Sequence, residues 1–198
     1  MFVSFEGVDG SGKTTQARLL ERYLTQLGRE VVATREPGGT ELGERVRGLL
    51  LDGPPISPWA EAALFAAARA EHAEEVIRPA LARGADVVCD RFIDSSLAYQ
   101  GIARGLGLDK VIDLNLTVLG GLLPDRTFVL AVDAADAAGR RRGDPDRIEQ
   151  EGDRFQAEVG RAYEELAERF PERVELLDGA LLPKDLAAAV QARVQALL

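Results

Sequence analysis

Residues 7–14 read Gly7-Val8-Asp9-Gly10-Ser11-Gly12-Lys13-Thr14, a complete G-x-x-x-x-G-K-[ST] phosphate loop. The loop opens directly after the apolar run Met1–Phe5 and leads into a helical pattern. In that setting its glycines let the backbone curl around a polyphosphate. Backbone N–H groups and the helix N-terminus then face the negative charge. Lys13 is spaced to reach the β- and γ-phosphates of a nucleoside triphosphate. The Thr14 hydroxyl is spaced to hold Mg²⁺, and Thr15 follows as the next residue of the helix. A plain glycine turn between strand and helix leaves Lys13 and Thr14 unexplained.

Further residues with recognisable chemistry stand at the ends of apolar runs. Asp90 ends the run Ala85–Cys89, the position of a carboxylate that orients Mg²⁺ through water beside a phosphate loop. The bland alternative is an aspartate capping a turn. Arg91 follows it, and Arg35 follows another apolar run, ahead of Pro37-Gly38-Gly39. Two guanidinium forks at such ends suit a phosphate clamp that positions an acceptor for in-line attack. Arg140, Arg141 and Arg142 precede Gly143-Asp144-Pro145-Asp146, as a mobile lid or as cations at a helix C-terminus. Phe65, Arg69 and His72 share one helical face, either a wall for a planar base or a surface arginine beside a half-covered ring.

The elements that must position these residues alternate through the chain. Strands are expected near 2–6, 30–34, 85–89, 127–132 and 173–177, without clean apolar/polar alternation, as for strands buried on both faces. Helical patterns fill the gaps, so the expected fold is α/β: a mostly parallel five-stranded sheet flanked by helices. Ligands of such sheets bind beyond the carboxyl ends of the strands. The segments Arg35–Thr40, Asp90–Gly107 and Arg140–Arg147 break the rhythm and read as functional loops. A helix over about 59–83 starts with Ser57 as N-cap and Pro58 at its first position. Ala63, Ala67, Ala70, Ile77 and Leu81 form the stripe expected to pack on the sheet, with Trp59 anchoring the helix start. His72 and Cys89 read as structural.

The 198 residues suffice for one compact α/β domain, and no linker or repeat divides them. No apolar run approaches a membrane span, and the N-terminus reads as a strand rather than a signal peptide. One cysteine permits no internal disulfide, which points to a reduced, cytoplasmic setting. A net charge of −9 argues against a nucleic-acid-binding surface. Only Lys13, Lys110 and Lys184 are lysines, so arginines must carry anion recognition.

Together these segments resemble the thymidylate kinases, the nucleoside monophosphate kinases that phosphorylate dTMP. Phe5-Glu6-Gly7-Val8-Asp9-Gly10-Ser11-Gly12-Lys13-Thr14-Thr15 is similar to the family's phosphate loop. Thr34-Arg35-Glu36-Pro37-Gly38-Gly39-Thr40 and Asp90-Arg91-Phe92 with Ser95-Ser96-Leu97-Ala98-Tyr99-Gln100-Gly101 are similar to its next two signatures. Asp146-Arg147-Ile148-Glu149 closes a lid over about 138–150 as in bacterial members. The resemblance implies transfer of a phosphoryl group from ATP to dTMP, with Mg²⁺, in a homodimer. It implies ATP contacts from Gly7 through Thr15, a metal site at Thr14 and Asp90, and the acceptor phosphate on Arg35 and Arg91. It places Phe65 on the thymine ring, Arg69 on its carbonyl edge, Ser96 and Gln100 near the base, and Tyr99 against the deoxyribose. Asp9 is the family's loop carboxylate, catalytic together with Lys13 and Arg91. One class of the family carries an arginine where this chain has Gly10; the other, bacterial class carries glycine and basic lid residues. Gly10 with Arg140, Arg141 and Arg142 resembles the second class. Arg142 is grouped with the catalytic residues and its two neighbours with the ATP contacts. Consecutive helical residues point about 100° apart, so which arginine reaches the phosphates stays open. The competing readings are a kinase for another nucleoside monophosphate and a nucleotide-dependent switch. Against the switch, the chain has no Asn-Lys-x-Asp guanine motif, and the paired strand-end arginines would have no task there.

Overall fold

A computed structural model describes residues 1–140 and 145–198. The strands are β1 (Phe2–Glu6), β2 (Val31–Arg35), β3 (Asp86–Asp90), β4 (Arg126–Ala131) and β5 (Val174–Asp178). The α-helices are α1 (Lys13–Gln26), α2 (Glu41–Leu51), α3 (Pro58–His72), α4 (Arg78–Ala82), α5 (Ile93–Ser96), α6 (Leu108–Leu119), α7 (Ala134–Arg140), α8 (Asp153–Arg169) and α9 (Pro183–Gln195). π-Helical turns over Ala73–Ile77 and Leu97–Ala103 join α3 to α4 and extend α5.

All strand pairings are parallel, in the order β2-β3-β1-β4-β5. Each observed strand lies within one residue of its expected bounds. Both faces of the sheet are buried because the side chains alternate between two cores. Val87 and Cys89 join Phe2 and Phe92 on one side. Val88 joins Val3, Phe5, Leu20 and Leu24 on the other, against α1 and α9. Phe2 and Phe92 meet edge to face at 5.0 Å. Chain direction across the sheet reverses at β1, so the loop leaving β1 opens into the crevice where such sheets bind ligands. In register, Arg35 pairs with Asp90 and Phe5 pairs with Asp90, which brings the ends of three strands to one edge.

The helix after Ser57 starts as expected, with the Ser57 hydroxyl accepting from Ala60 N–H, but its buried face differs. Ala63 and Ala67 are exposed, whereas Ala62, Ala66, Arg69, His72 and Ala73 are buried. Alanine is small enough to sit on either side, so it carries little phase information. The π turn at Ala73–Ile77 also shifts the phase between α3 and α4. Trp59 is 46% exposed, not the buried anchor expected at the helix start. The stretch expected as a loop after Asp90 is mostly helical, because the π turn that extends α5 packs on α8 and α6 and buries Leu97, Ala98, Tyr99 and Gln100.

Candidate active site

The phosphate loop leaves β1 and enters α1 through Gly12, whose φ of 98° opens the helix with its N–H groups free to face an anion. Lys13 folds back over the loop, and its ammonium donates to the carbonyls of Gly7 (3.1 Å) and Val8 (2.9 Å). Asp9 lies 3.8 Å from it. Burial pushes the Lys13 ammonium down to about 8, the Arg91 charge adds to this, and Asp9, Asp90 and Glu6 partly offset it. Gly7 and Val8 thus act through their carbonyls, and Val8 is a core residue. Gly10, Ser11, Gly12, Thr14 and Thr15 line a large cavity open to solvent.

The same cavity is lined by Arg35, Asp90 and Arg140, and by the Gly179–Pro183 loop. Thr14 donates its hydroxyl to Asp90 Oδ2 at 2.5 Å. Two hard oxygen donors beside Lys13 fit Mg²⁺, which takes most of its ligands from water and phosphate. Among the described residues no group of three or more His, Cys, Asp or Glu is placed to hold a metal ion by itself. Arg140 donates to the Gly179 carbonyl at 3.1 Å. Arg141 and Arg142 lie outside the described residues.

Arg91 stands at the seam. Its φ of 70° is a strained left-handed conformation for a residue with a Cβ, held by its N–H on the Phe5 carbonyl at 2.9 Å. The guanidinium donates to Asp9 at 2.5 Å and to Ser95 at 3.1 Å, and lies over the Tyr99 ring at 5.4 Å. Below it, Glu6 is fully buried and accepts from Phe92 N–H (2.7 Å), Ser95 (2.6 Å) and Tyr163 (2.9 Å). Burial, reinforced by the charge of Asp94, raises the Glu6 carboxyl to about 7 against the pull of Arg91. Nothing in the sequence distinguishes Glu6 from an ordinary strand-end glutamate. Its role shows only once Arg91 and Tyr163 converge on it.

A second, smaller cavity adjoins the first, lined by Phe65, Arg69, Ser96, Tyr99 and Gln100. Asp9, Glu36, Arg47 and Arg91 line both. Of the two readings of its spacing, Arg69 is not a surface arginine. It is buried, with donors on Glu36 (2.7 Å), Ser96 (2.9 Å), Asn115 and the Phe92 carbonyl (3.1 Å). Four of its five N–H groups are thus engaged, and one Nη2–H remains for a ligand. Glu36, itself held by His72 at 2.9 Å, makes burial of that charge tolerable. His72 also bonds Thr34 at 2.7 Å, a satisfied core histidine. Cys89 is buried, and burial pushes its thiol well above the ordinary range. Arg35 lines the larger of the two cavities, as Arg91 does, and pairs with Glu44 at 3.0 Å. Arg47, whose guanidinium donates to the Pro37 carbonyl at 3.0 Å, borders both cavities and was not evident from spacing.

The residues bring together a polyphosphate cradle, a flat apolar slot with polar edges, and cations between them. The chain matches the family model described as thymidylate kinase over residues 5–190. Among curated proteins, the thymidylate kinase of Bifidobacterium longum subsp. infantis is 47% identical over 203 residues, covering 100% of this chain and 87% of that protein. That of Caldanaerobacter subterraneus subsp. tengcongensis is 49% identical over 180 residues, covering 90% of this chain and 86% of that one. The crystal structure of thymidylate kinase from Ehrlichia chaffeensis superposes with a TM-score of 0.81 at 35% identity, covering 98% of each chain.

Proposed function

We propose, from the premise that the chain belongs to the thymidylate kinase family and transfers the γ-phosphoryl group of ATP to dTMP, that the two adjoining cavities divide the reaction between them. The larger takes the triphosphate and the smaller takes the nucleoside of dTMP. The observation that carries this division is the seam: Asp9 and Arg91 border both cavities, so the acceptor phosphate and the γ-phosphate would meet there.

In this reading Phe65 stacks on thymine, the remaining Nη2–H of Arg69 reaches a base carbonyl, and Ser96 and Gln100 border the ring. Tyr99 lies against the deoxyribose and disfavours a 2′-hydroxyl. Arg91 grips the acceptor phosphate, joined by Arg35 once it leaves Glu44. The acceptor oxygen is already anionic at neutral pH, so no strong general base is needed, and positioning and charge stabilisation dominate. The acceptor oxygen attacks the γ-phosphorus in line and ADP leaves. Lys13 neutralises charge on the transferring group, with a lid arginine, Arg142 in this proposal, beside it. Mg²⁺, held through Thr14 and Asp90, would supply charge neutralisation at the β- and γ-phosphate oxygens. Arg140 and Arg141 complete the donor contacts, and lid closure keeps water from the γ-phosphate.

We place the enzyme in the cytoplasm, where a lone buried thiol stays reduced. Among the described residues no helix is long and apolar enough to cross a membrane. A second copy of the chain would cover the exposed Leu49, Trp59, Ala63 and Ala67 on the adjoining helices α2 and α3.

The test is ADP release with Mg·ATP against a panel of nucleoside monophosphates and a no-acceptor control. Turnover strongly selective for dTMP is the expected result. Hydrolysis indifferent to every acceptor would overturn the assignment of the second cavity.

A further inference from the structure

Glu61 of α3 is 1% exposed, yet it faces four donors. Its Oε1 accepts from Gln100 Nε2 (2.8 Å) and Arg104 Nε (3.2 Å), and its Oε2 from Arg104 Nη2 (3.2 Å) and Arg147 Nη2 (2.8 Å). These bonds occupy the lone-pair sites of an ionised carboxylate. Arg104 also donates to Glu151 at 2.7 Å, so two carboxylates and two guanidiniums close a neutral cluster. Burial alone would raise the Glu61 carboxyl, but the bonds from Gln100, Arg147 and Arg104 hold it below the ordinary glutamate range.

An ionised carboxylate can only accept. The Gln100 amide must therefore turn its NH₂ toward Glu61, which leaves its carbonyl oxygen in the same plane on the opposite side of Cδ. Gln100 is buried and lines the aromatic cavity. A thymine or uracil ring presents an N–H donor at N3, whereas cytosine presents a bare acceptor there. Arg147 brings a second consequence: its N–H bonds the Leu51 carbonyl at 3.0 Å and its Nε the Leu50 carbonyl at 2.7 Å. The segment that includes Asp146 and Ile148, which roof the same cavity, is thereby tied to α2 and α3.

We propose that Glu61 is a positioning residue for base selection: it locks the Gln100 amide so that an oxygen faces N3 of the base, admitting N3–H pyrimidines and rejecting cytosine. This rests on reading the aromatic cavity as the dTMP site. Glu61 touches no substrate atom. Substitution Glu61→Gln removes the charge and lets both amides turn over, so an NH₂ can face the base.

The experiment measures kcat/KM for dTMP, dUMP and dCMP in wild type and Glu61→Gln. The dTMP-to-dCMP ratio falls about 10- to 100-fold, the scale of one mismatched buried hydrogen bond. The dTMP-to-dUMP ratio stays constant, because both bases carry N3–H. A general loosening of the pocket would move both ratios together, and that result, or an unchanged dCMP ratio, overturns the inference. Wild-type enzyme that ignores dTMP would instead overturn the site assignment itself. Should Glu61→Gln fail to fold, ¹³C-labelled wild-type protein with ¹⁵N-labelled dTMP decides. A coupling across the hydrogen bond from N3–H to the Gln100 carbonyl carbon supports the proposal, and its absence overturns it.

Discussion

Raising the pH from 7 to 10 weakens ATP binding if Lys13 is the ammonium that meets the phosphates. In the ATP-free protein burial and the neighbouring Arg91 charge bring Lys13 down from 10.5 to about 8. Phosphate oxygens replace the lost hydration, so the bound state returns Lys13 toward 10.5. That gap converts, at about 1.4 kcal/mol per pH unit, into about 3 kcal/mol, or up to roughly 300-fold in affinity. The sign follows from proton counts. Below pH 8 both states hold the proton and affinity is flat. Between 8 and 10.5 only the complex holds it, so binding takes up a proton and affinity falls as pH rises. At pH 9 the uptake is about 0.9 proton per ATP. The same depression makes the ATP-free fold gain stability with rising pH in that window, because the unfolded chain binds more protons there. Calorimetric titration with ATP alone, at pH 9 in two buffers of different ionisation enthalpy, reads the uptake directly. Lys13→Met abolishes it. A buffer-independent enthalpy in wild type, with a Kd flat from pH 8 to 10, would refute the reasoning.

Arg91→Ala lowers kcat by at least about 10²-fold, the scale of losing one charge-stabilising donor, and near-normal turnover in steady-state kinetics would contradict its assignment. Glu6 titrates near 7 when folded against 4.5 unfolded, so the fold binds the extra proton and loses stability as pH rises from 4.5 to 7. Glu6→Gln therefore flattens the Tm profile between pH 5 and 7, and an unchanged slope in thermal melts would count against a raised carboxyl. Gly10→Ala places a Cβ 2.2 Å from the Ala137 carbonyl oxygen at a φ of +90°, so something must shift. The expected effect is a KM for ATP raised about tenfold and a destabilisation of about 1–3 kcal/mol, read by kinetics and melting; wild-type values for both would show the contact to be dispensable.

The strands were legible because valine and phenylalanine runs buried on both faces leave little ambiguity. The phosphate loop was legible because its spacing demands one geometry. What escaped was set by contacts between distant segments. Arg69 could sink into the interior only because Glu36, 33 residues away, supplies a buried counter-charge, and no local spacing reports that. The face of α3 was misjudged because Ala63 and Ala67 fit water and core equally well. The helical character of 93–103 was hidden by Gly101 and by the motif-like density of polar residues around Ser95 and Gln100. Residue type and position make Glu6 only a strand-end glutamate and Glu61 only a helix glutamate. Their importance comes from four donors on Glu61 and three on Glu6, assembled by folding.

The contact of Gly10 with Ala137 bears on whether the phosphate loop could carry a positive charge of its own at this position. With α7 seated as it is, position 10 has no room for any side chain, because its first carbon would already overlap the Ala137 carbonyl. An arginine introduced there collides before it can serve, and moving α7 aside displaces the helix that leads to Arg140 and the residues beyond it. Position 10 and the seat of α7 are therefore coupled: a side chain gained in the loop shifts the helix that carries Arg140, so the two segments can change only together.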